Sequence, residues 1–424
     1  MSRSASWFLL VVCLAGLLLT RESRQPGGAL AGVDRAFLDW LAANTRPAGA
    51  AARAVQKSPP VTLVEIDDAV LDTPGRWPLS ALEYAGFLQA VAPYDPAVVA
   101  VAPVLELPPS APGSEQILLD QALTVSRLLL AVQLGIDAPT HRDPAGVAEF
   151  PAVGAVTGPT GALPEFTELD AAPNARLGLL SAAAGAVNLP GDLAAPVRDV
   201  PLLFRWRGRV VPAFALQALT LALRLSPREV SVVVGEEVRL GDRLHLPLDR
   251  TGRTLLDARA LRRVNRLGFD DLPLLAAGQA SAETRALAER MRGGVVVLGR
   301  TDTAARTRRT PDGQAVSPAE IFAWAVASLE RDPPLRRAPG GWDAGVLAVF
   351  AAAGWLGTRL RRGTSLALAA GTLTTYALLA LTLFETSRLW LPAALPVGLT
   401  LINALLPSLV PVRPVPVAAA IPPG

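Results

Sequence analysis

Three long apolar segments near the C-terminal end constrain this chain more than any other feature. "GWDAGVLAVFAAAGWLGT" begins at Gly341, "TSLALAAGTLTTYALLALTLF" at Thr364 and "LWLPAALPVGLTLINALLPSLVPV" at Leu389, and Asp343 is the single charge among them. A helix crossing the hydrocarbon core of a bilayer takes about 20 apolar residues. Segments this long, this apolar and this closely spaced read as three transmembrane helices over residues 338–412, with a short tail at 413–424. Trp342, Trp355 and Trp390 sit near segment ends, where aromatic side chains anchor to the interface.

The loop "RLRRG" (Arg359–Gly363) joins the first two segments, and the positive-inside rule places it in the cytoplasm. Threading the chain outward from that loop puts the region before Gly341 and the "ETSR" loop outside, and the tail from Arg413 inside. Residues 1–24 carry a shorter apolar run, "WFLLVVCLAGLLLT", preceded by Arg3 and followed by Arg21 and Arg24. This run reads as a signal anchor or transmembrane helix with a cytoplasmic N-terminus. Cleavage at the small residues Ala29–Ala31 stays open as the alternative, with export in either case. Composition agrees, being 51% hydrophobic and only 18% charged. A formal charge of +3 gives no basic surface for nucleic acid.

Residues 25–337 then form one exported domain. "VTLVEI" (from Val61), "AVVAVAPVL" (from Ala97), "RLLLAVQL" (from Arg127) and "GVVVLG" (from Gly294) are continuously apolar, as parallel strands buried on both faces are. Helical patterns cover Ser80 to Val91, Pro212 to Leu225 and Ala282 to Met291. "VPLLFRWRGRVVPAF" reads as a hairpin turning at Arg207-Gly208. "VSVVVGEEVRLGDRLHLPLDRTGRTLLDAR" reads as an antiparallel meander, and the Gly- and Pro-rich run Asp137–Phe166 as a long loop. The fold class is therefore α/β with a mixed parallel and antiparallel sheet, plus α-helical transmembrane segments.

Several chemistries are excluded. Gln56 precedes Lys57, the only lysine, so there is no Walker A loop. His141 and His245 are the only histidines and Cys13 the only cysteine, which removes HExxH and cysteine-based zinc sites. Each histidine reads as a surface or strand residue rather than a base. No catalytic residue, metal ligand or cofactor is expected. Asp67 and Asp68 follow "VTLVEI", but neighbours in a strand point to opposite faces, so they share a ligand only if the strand has ended. Beyond a strand end, one would cap the next turn. Ligands of parallel sheets sit at the carboxyl ends of strands. Asp67 follows one such strand and Arg300, Thr301 and Asp302 follow another, with Arg76 and Thr310 expected near both. These six residues form the candidate rim of a pocket for a small ligand.

The ordered set of features resembles the type-two CHASE domain, the extracellular sensory domain of bacterial cyclases and histidine kinases. "VEIDDAVLDTPGRWPLS", "AVVAVAPVLELP", "LLDQALTVSRLLLAVQL", "GAVNLPGDLAAPVRDVPLLFRWRGRVVPAFALQALTLAL", "HLPLDRTGRTLLDAR" and "GGVVVLGRTDTAARTRRTPDGQAVSPAEIFAWAVASL" follow in the family's order, and the likeness runs from about Asp34 to Pro411. Departures are Ala102 in place of an Asp, "DLAAPVRDV" in place of Asp-Gly-Val-x-Arg, and Phe322 in place of a His. The resemblance implies a multi-pass protein of the bacterial inner membrane, in contact with the lipid bilayer and with its large domain extracytoplasmic. In the family a kinase or cyclase commonly follows the third helix, whereas "RPVPVAAAIPPG" follows here. The expectation is a sensor without its own catalytic output, not an enzyme, acting through a homodimer mate or a separate kinase or cyclase. A structural envelope scaffold and an extracytoplasmic hydrolase using Asp67 stay open as alternatives.

Overall fold

A computed structural model describes residues 3–24, 28–45, 60–72, 76–107, 113–136, 153–330 and 334–409. The chain divides into two units, residues 49–335 on one side and residues 1–48 with 336–424 on the other.

The larger unit is organised by the four apolar runs. Val61–Ile66 (β1), Val98–Val101 (β2), Leu128–Gly135 (β3), Glu168–Ala171 (β4), Ala183–Ala186 (β5), Asn265–Gly268 (β6) and Val295–Arg300 (β7) form a seven-stranded sheet. Its order is β6-β1-β7-β2-β3-β4, with β5 also on β3, and every pairing is parallel except β3 with β4. The runs are continuously apolar because both faces are covered. Side chains still alternate between faces. Val61, Leu63, Val98, Ala100, Val295 and Val297 enter one core, and Val64, Ile66, Val99, Val101, Val296 and Leu298 the other.

Helices Ala81–Val91 (α1), Ser114–Ala122 (α2), Phe214–Ala222 (α3), Asp271–Ala276 (α4), Ala282–Glu289 (α5) and Pro318–Leu329 (α6) supply those two layers. The first, second, fourth and fifth pack on one face through Phe87, Leu118, Leu272 and Ala288. The third and sixth pack on the other, with Phe214 and Phe322 ring centroids 5.2 Å apart. Capping boxes at Ser80/Glu83 and Ser317/Glu320 start α1 and α6. Gly299 lets α6 approach the sheet, since a Cβ there would lie 2.2 Å from that of Ala319.

The hairpin is present as Leu203–Trp206 against Arg209–Pro212, and the meander as Val230–Val233, Glu237–Leu240 and Leu244–Pro247. After the Arg250–Gly252 turn, Arg253–Leu255 leaves the meander and pairs with Asp199–Pro201. The expected long loop needs correction. Residues 137–152, including His141, lie outside the described residues, but Ala155–Thr157 pairs parallel with Val230–Val233 and Glu165–Phe166 with Leu203–Trp206. Strands of two or three residues whose partners lie far downstream leave no local periodicity. Gly158 turns the chain there with φ +88°.

The smaller unit holds helices Arg3–Arg24, Ala31–Asn44, Gly340–Gly357, Arg362–Ser387 and Ala394–Leu409. Among the described residues, Arg362–Ser387 is the one helix that by length and composition alone is fit to cross a membrane, with 26 residues and a mean hydropathy of 1.7. Four of its threonine hydroxyls are satisfied within the helix. Thr372, Thr375, Thr382 and Thr386 donate to the carbonyls of Leu368, Gly371, Leu378 and Thr382 at 2.8–2.9 Å. The segment expected to be helical from Leu389 begins differently. Leu389–Trp390 is extended and pairs with Arg336–Arg337, and the helix starts at Ala394, after Pro392. Close approach of the helices rests on small residues, with Gly16 against Leu347, Gly398 against Leu19, and Gly354 against Asn403.

A buried carboxylate that sequence reading passed over ties these segments together. Asp34 is 1% exposed. It accepts from Ser23 Oγ, from Arg337 Nη2 at 3.2 Å and from the Ala394 amide at 2.7 Å, the last at a helix N-terminus. Arg337 also bonds the Ser23 carbonyl at 3.1 Å and lies 5.2 Å over the Trp390 ring. Removing one partner of a buried ion pair costs about 3–5 kcal/mol because the other charge is stranded. Asp34→Ala is therefore expected to lower the stability of the detergent-solubilised full chain by about 3 kcal/mol. Arg24→Ala, at the more exposed Arg24–Asp343 pair, is expected to cost less than about 1 kcal/mol. Thermal unfolding of the two variants side by side checks the difference.

Candidate functional site

The carboxyl edge of the central sheet is assembled by the register of β1 between its neighbours. Ile66 pairs with Arg300 and Glu65 with Gly268, and the Thr301 amide donates to the Ile66 carbonyl at 3.0 Å. Chain segments that leave the sheet at residues 67, 269 and 301 are thus brought side by side.

β1 ends at Ile66, so Asp67 and Asp68 are both past the strand, and each takes up a turn or loop contact. Asp67 Oδ1 accepts from the Val70 amide at 3.1 Å, capping its own turn. Asp68 accepts from the Thr303 amide at 3.0 Å and its hydroxyl at 2.8 Å, tying down the loop after β7. Arg300 and Asp302 form a two-pronged pair, Nε to Oδ1 at 2.8 Å and Nη2 to Oδ2 at 2.7 Å. The guanidinium lies 4.6 Å over the ring of Trp77. The Arg300 hydrogen bonds hold the Asp302 carboxyl below its usual range, against the opposing effect of burial. Thr301 is 1% exposed, and its hydroxyl has no hydrogen-bond partner among the described residues.

Arg76 adjoins this cluster through Trp77, its chain neighbour, and bonds Glu83 at 3.3 Å and Asp270 at 3.4 Å. Burial works to raise the Glu83 pKa, but the Ser80 amide and hydroxyl, with Arg76, outweigh it and lower it. Thr310 belongs elsewhere. It sits in the turn between Arg308–Arg309 and Ala315–Val316, where it bonds Asp312 and the Gln314 carbonyl. Five of the six expected rim residues therefore gather at this edge, and Thr310 serves its own hairpin.

Sequence reading missed a second charged cluster at the same edge. Arg266 on β6 bonds Glu65 at 2.6 Å and Glu320 at 2.8 Å, and Arg306 lies 3.6 Å from Glu320. Glu320 is 1% exposed and also closes the α6 capping box. Burial raises the Glu65 pKa, opposed by Arg266 and reinforced by Glu320. Burial works against the charge on Arg266, but Glu320 and Glu65 together raise its pKa. The available signals were a lone Glu inside an apolar strand and the S-x-x-E pattern at Ser317. Two of the three departures from the resembled family are filled with carbon. Ala102 lies beside Gly299, and Phe322 is buried against Phe214. His245 is exposed on the half-buried strand Leu244–Pro247, beside Glu237, as expected of a surface histidine.

The CHASE2 domain matches residues 9–357 of this chain. The chain belongs to the CHASE2 family. CHASE2 is a family of extracellular sensory domains. The match takes in the first helix and Gly340–Gly357 as well as the α/β unit. No curated protein and no solved structure matches the chain.

At this CHASE2 edge, Arg300 holds Asp302 with Nε and Nη2 while its guanidinium lies over the Trp77 ring. Loss of the pair is expected to be visible in stability. Because the Asp302 pKa is depressed, its contribution is present above the ordinary carboxylate pKa of about 4 and is lost as pH falls through its folded value. Asp302→Asn is expected to cost about 2 kcal/mol at pH 7 and progressively less below about pH 4, read from urea unfolding at both pH values.

Proposed function

We propose that this CHASE2 protein is a membrane-anchored extracytoplasmic sensor that binds a small ligand at the carboxyl edge of its central sheet. The observation that carries the reading is the Arg300–Asp302 clamp stacked on Trp77 at that edge, in a family of extracellular sensory domains. A guanidinium whose Nη1 has no partner among the described residues, lying over an aromatic ring, suits a carboxylate or another planar anion. Asp67, Arg76 and Thr301 border the clamp, while Thr310 contributes to its own turn. Binding changes the output only by favouring one of two conformations of the domain.

In this reading residues 25–337 face the outside of the bacterial inner membrane, residues 338–412 cross it three times and residues 1–24 anchor the chain. Support comes from the arginines of the loop at Arg359–Gly363, the internally satisfied threonines of Arg362–Ser387 and the glycine-mediated contacts of the bundle. The output passes to a homodimer mate or to a separate kinase or cyclase. A scaffold role in the envelope is the second reading, favoured by Asp67 and Asp68 being committed to a turn and a loop.

Crosslinking in native membranes, followed by identification of what copurifies, separates the two. The sensor reading expects a second copy or a signalling enzyme, with a capture yield that Arg300→Ala changes at least severalfold. Capture of envelope components alone, unchanged by Arg300→Ala, supports the scaffold and contradicts the sensor.

A further inference from the structure

Four charged groups meet where β1, β6, α6 and the loop after β7 converge. Arg266 divides its guanidinium between two acids. Nη1 donates to Glu65 Oε1 on β1 at 2.6 Å, and Nη2 to Glu320 Oε1 on α6 at 2.8 Å. Arg306, from the loop, faces the other oxygen of Glu320 at 3.6 Å. That separation is beyond hydrogen-bond reach, and the Arg306 side chain is 38% exposed. Two carboxylates thus offset two guanidiniums, and Arg306 is the member held by charge alone.

The two acids differ in how open they are to a proton. Both oxygens of the buried Glu320 are engaged, Oε1 by Arg266 and Oε2 by the Ser317 amide at 2.7 Å. Glu65 is engaged at Oε1 only. Its Oε2 has no partner among the described residues, and its side chain is 17% exposed. On the β7 side Glu65 pairs with Gly299, which brings no charge. Asp271, at the start of α4, comes against Gly268 and forms no ion pair with either arginine among the described residues. Burial raises the Glu65 pKa, Arg266 opposes it and Glu320 reinforces it. A proton therefore goes onto Oε2 at a higher pH than on an exposed glutamate.

Once Glu65 is neutral, Arg266 and Arg306 share one carboxylate. Their like charges repel across Glu320, and the contact that gives way is the longer and more exposed one. Arg306 belongs to the loop that carries Asp302, the partner of Arg300, and Thr303, the donor to Asp68. Within the loop, the Ala305 amide donates to the Asp302 carbonyl at 3.0 Å and the Thr307 amide to the Ala305 carbonyl at 2.9 Å. We propose that Glu65 is a proton sensor: a proton taken up there releases Arg306 from Glu320 and loosens the loop 301–307 at the carboxyl edge of the sheet. The switch goes beyond the ligand reading above and needs no ligand to operate.

The test is hydrogen–deuterium exchange of the full-length chain in mild detergent, read by mass spectrometry on peptides covering residues 301–307. Rates are corrected for the intrinsic pH dependence of exchange, and peptides of β2 and β3 serve as the unchanging reference. In wild type the loop amides are expected to exchange severalfold faster at about pH 5.5 than at about pH 7.5. Glu65→Gln keeps an oxygen for Arg266 and removes the charge, so it is expected to exchange fast at both pH values. Arg306→Gln is expected to do the same, because the loop loses the contact that Glu65 controls. Circular dichroism confirms that each variant is folded. A wild-type loop that exchanges alike at both pH values overturns the proposal. An acid response that persists in Glu65→Gln assigns it to another carboxylate of the edge and overturns the proposal too. If Glu65→Gln does not fold, Arg306→Gln decides, and a wild-type acid response retained there is the contrary result.

Discussion

The pairing of β1 with β7 is the constraint on which the α/β unit depends. It joins Val61–Ile66 to Val295–Arg300, from opposite ends of the unit, along six consecutive residue pairs. Both strands are buried on both faces, so a slip of one residue would exchange the two hydrophobic cores and carry Glu65 to the wrong side. The same register sets Arg300 beside Ile66 and, through β6, Arg266 beside Glu65. Location of the candidate site is thus a consequence of apolar packing, fixed before any polar contact is made.

The polar groups at that edge divide by how firmly they are held. Glu320 caps α6 and pairs with Arg266 and Arg306 while almost fully buried, and charges in that setting are stable only as a satisfied group. Asp67 and Asp68 close a turn and a loop. Arg300 differs, because its side chain is 30% exposed and lies over the Trp77 ring while Nε and Nη2 hold Asp302. In the proposed reading, a ligand that competes with Asp302 for this guanidinium changes the edge without unpicking the fold.

Much of this was legible in the sequence, for physical reasons. Continuous apolar runs announced the parallel strands β1, β2, β3 and β7, and the periodic run from Ser80 announced the first helix of the unit. The departure of Arg253–Leu255 from the meander and the short strands Ala155–Thr157 and Glu165–Phe166 were not legible, because their partners are distant and their length leaves no period to detect. Five of the six expected rim residues gather at one edge because strand ends are predictable from hydrophobicity. Thr310 falls away because a hairpin turn intervenes. Asp34 was hidden because an isolated acid in a helix reads as surface until three segments close around it. The type-two CHASE resemblance was carried by the order of these pieces, and the CHASE2 match over residues 9–357 bears it out.

In the proposed reading, the arginines of the short loop Arg359–Gly363, threonines bonded within their own helix and glycines at helix contacts meet what a bilayer asks of such a bundle. The central claim is that the α/β unit and the Arg359–Gly363 loop lie on opposite sides of that bilayer. Single-cysteine labelling tests it directly, because Cys13 is the only native cysteine and Cys13→Ser gives a blank background. With a membrane-impermeant maleimide on intact spheroplasts, Arg250→Cys is expected to label at once and Gly363→Cys only after permeabilisation. Labelling of both positions, or of Gly363→Cys alone, before permeabilisation would contradict the account.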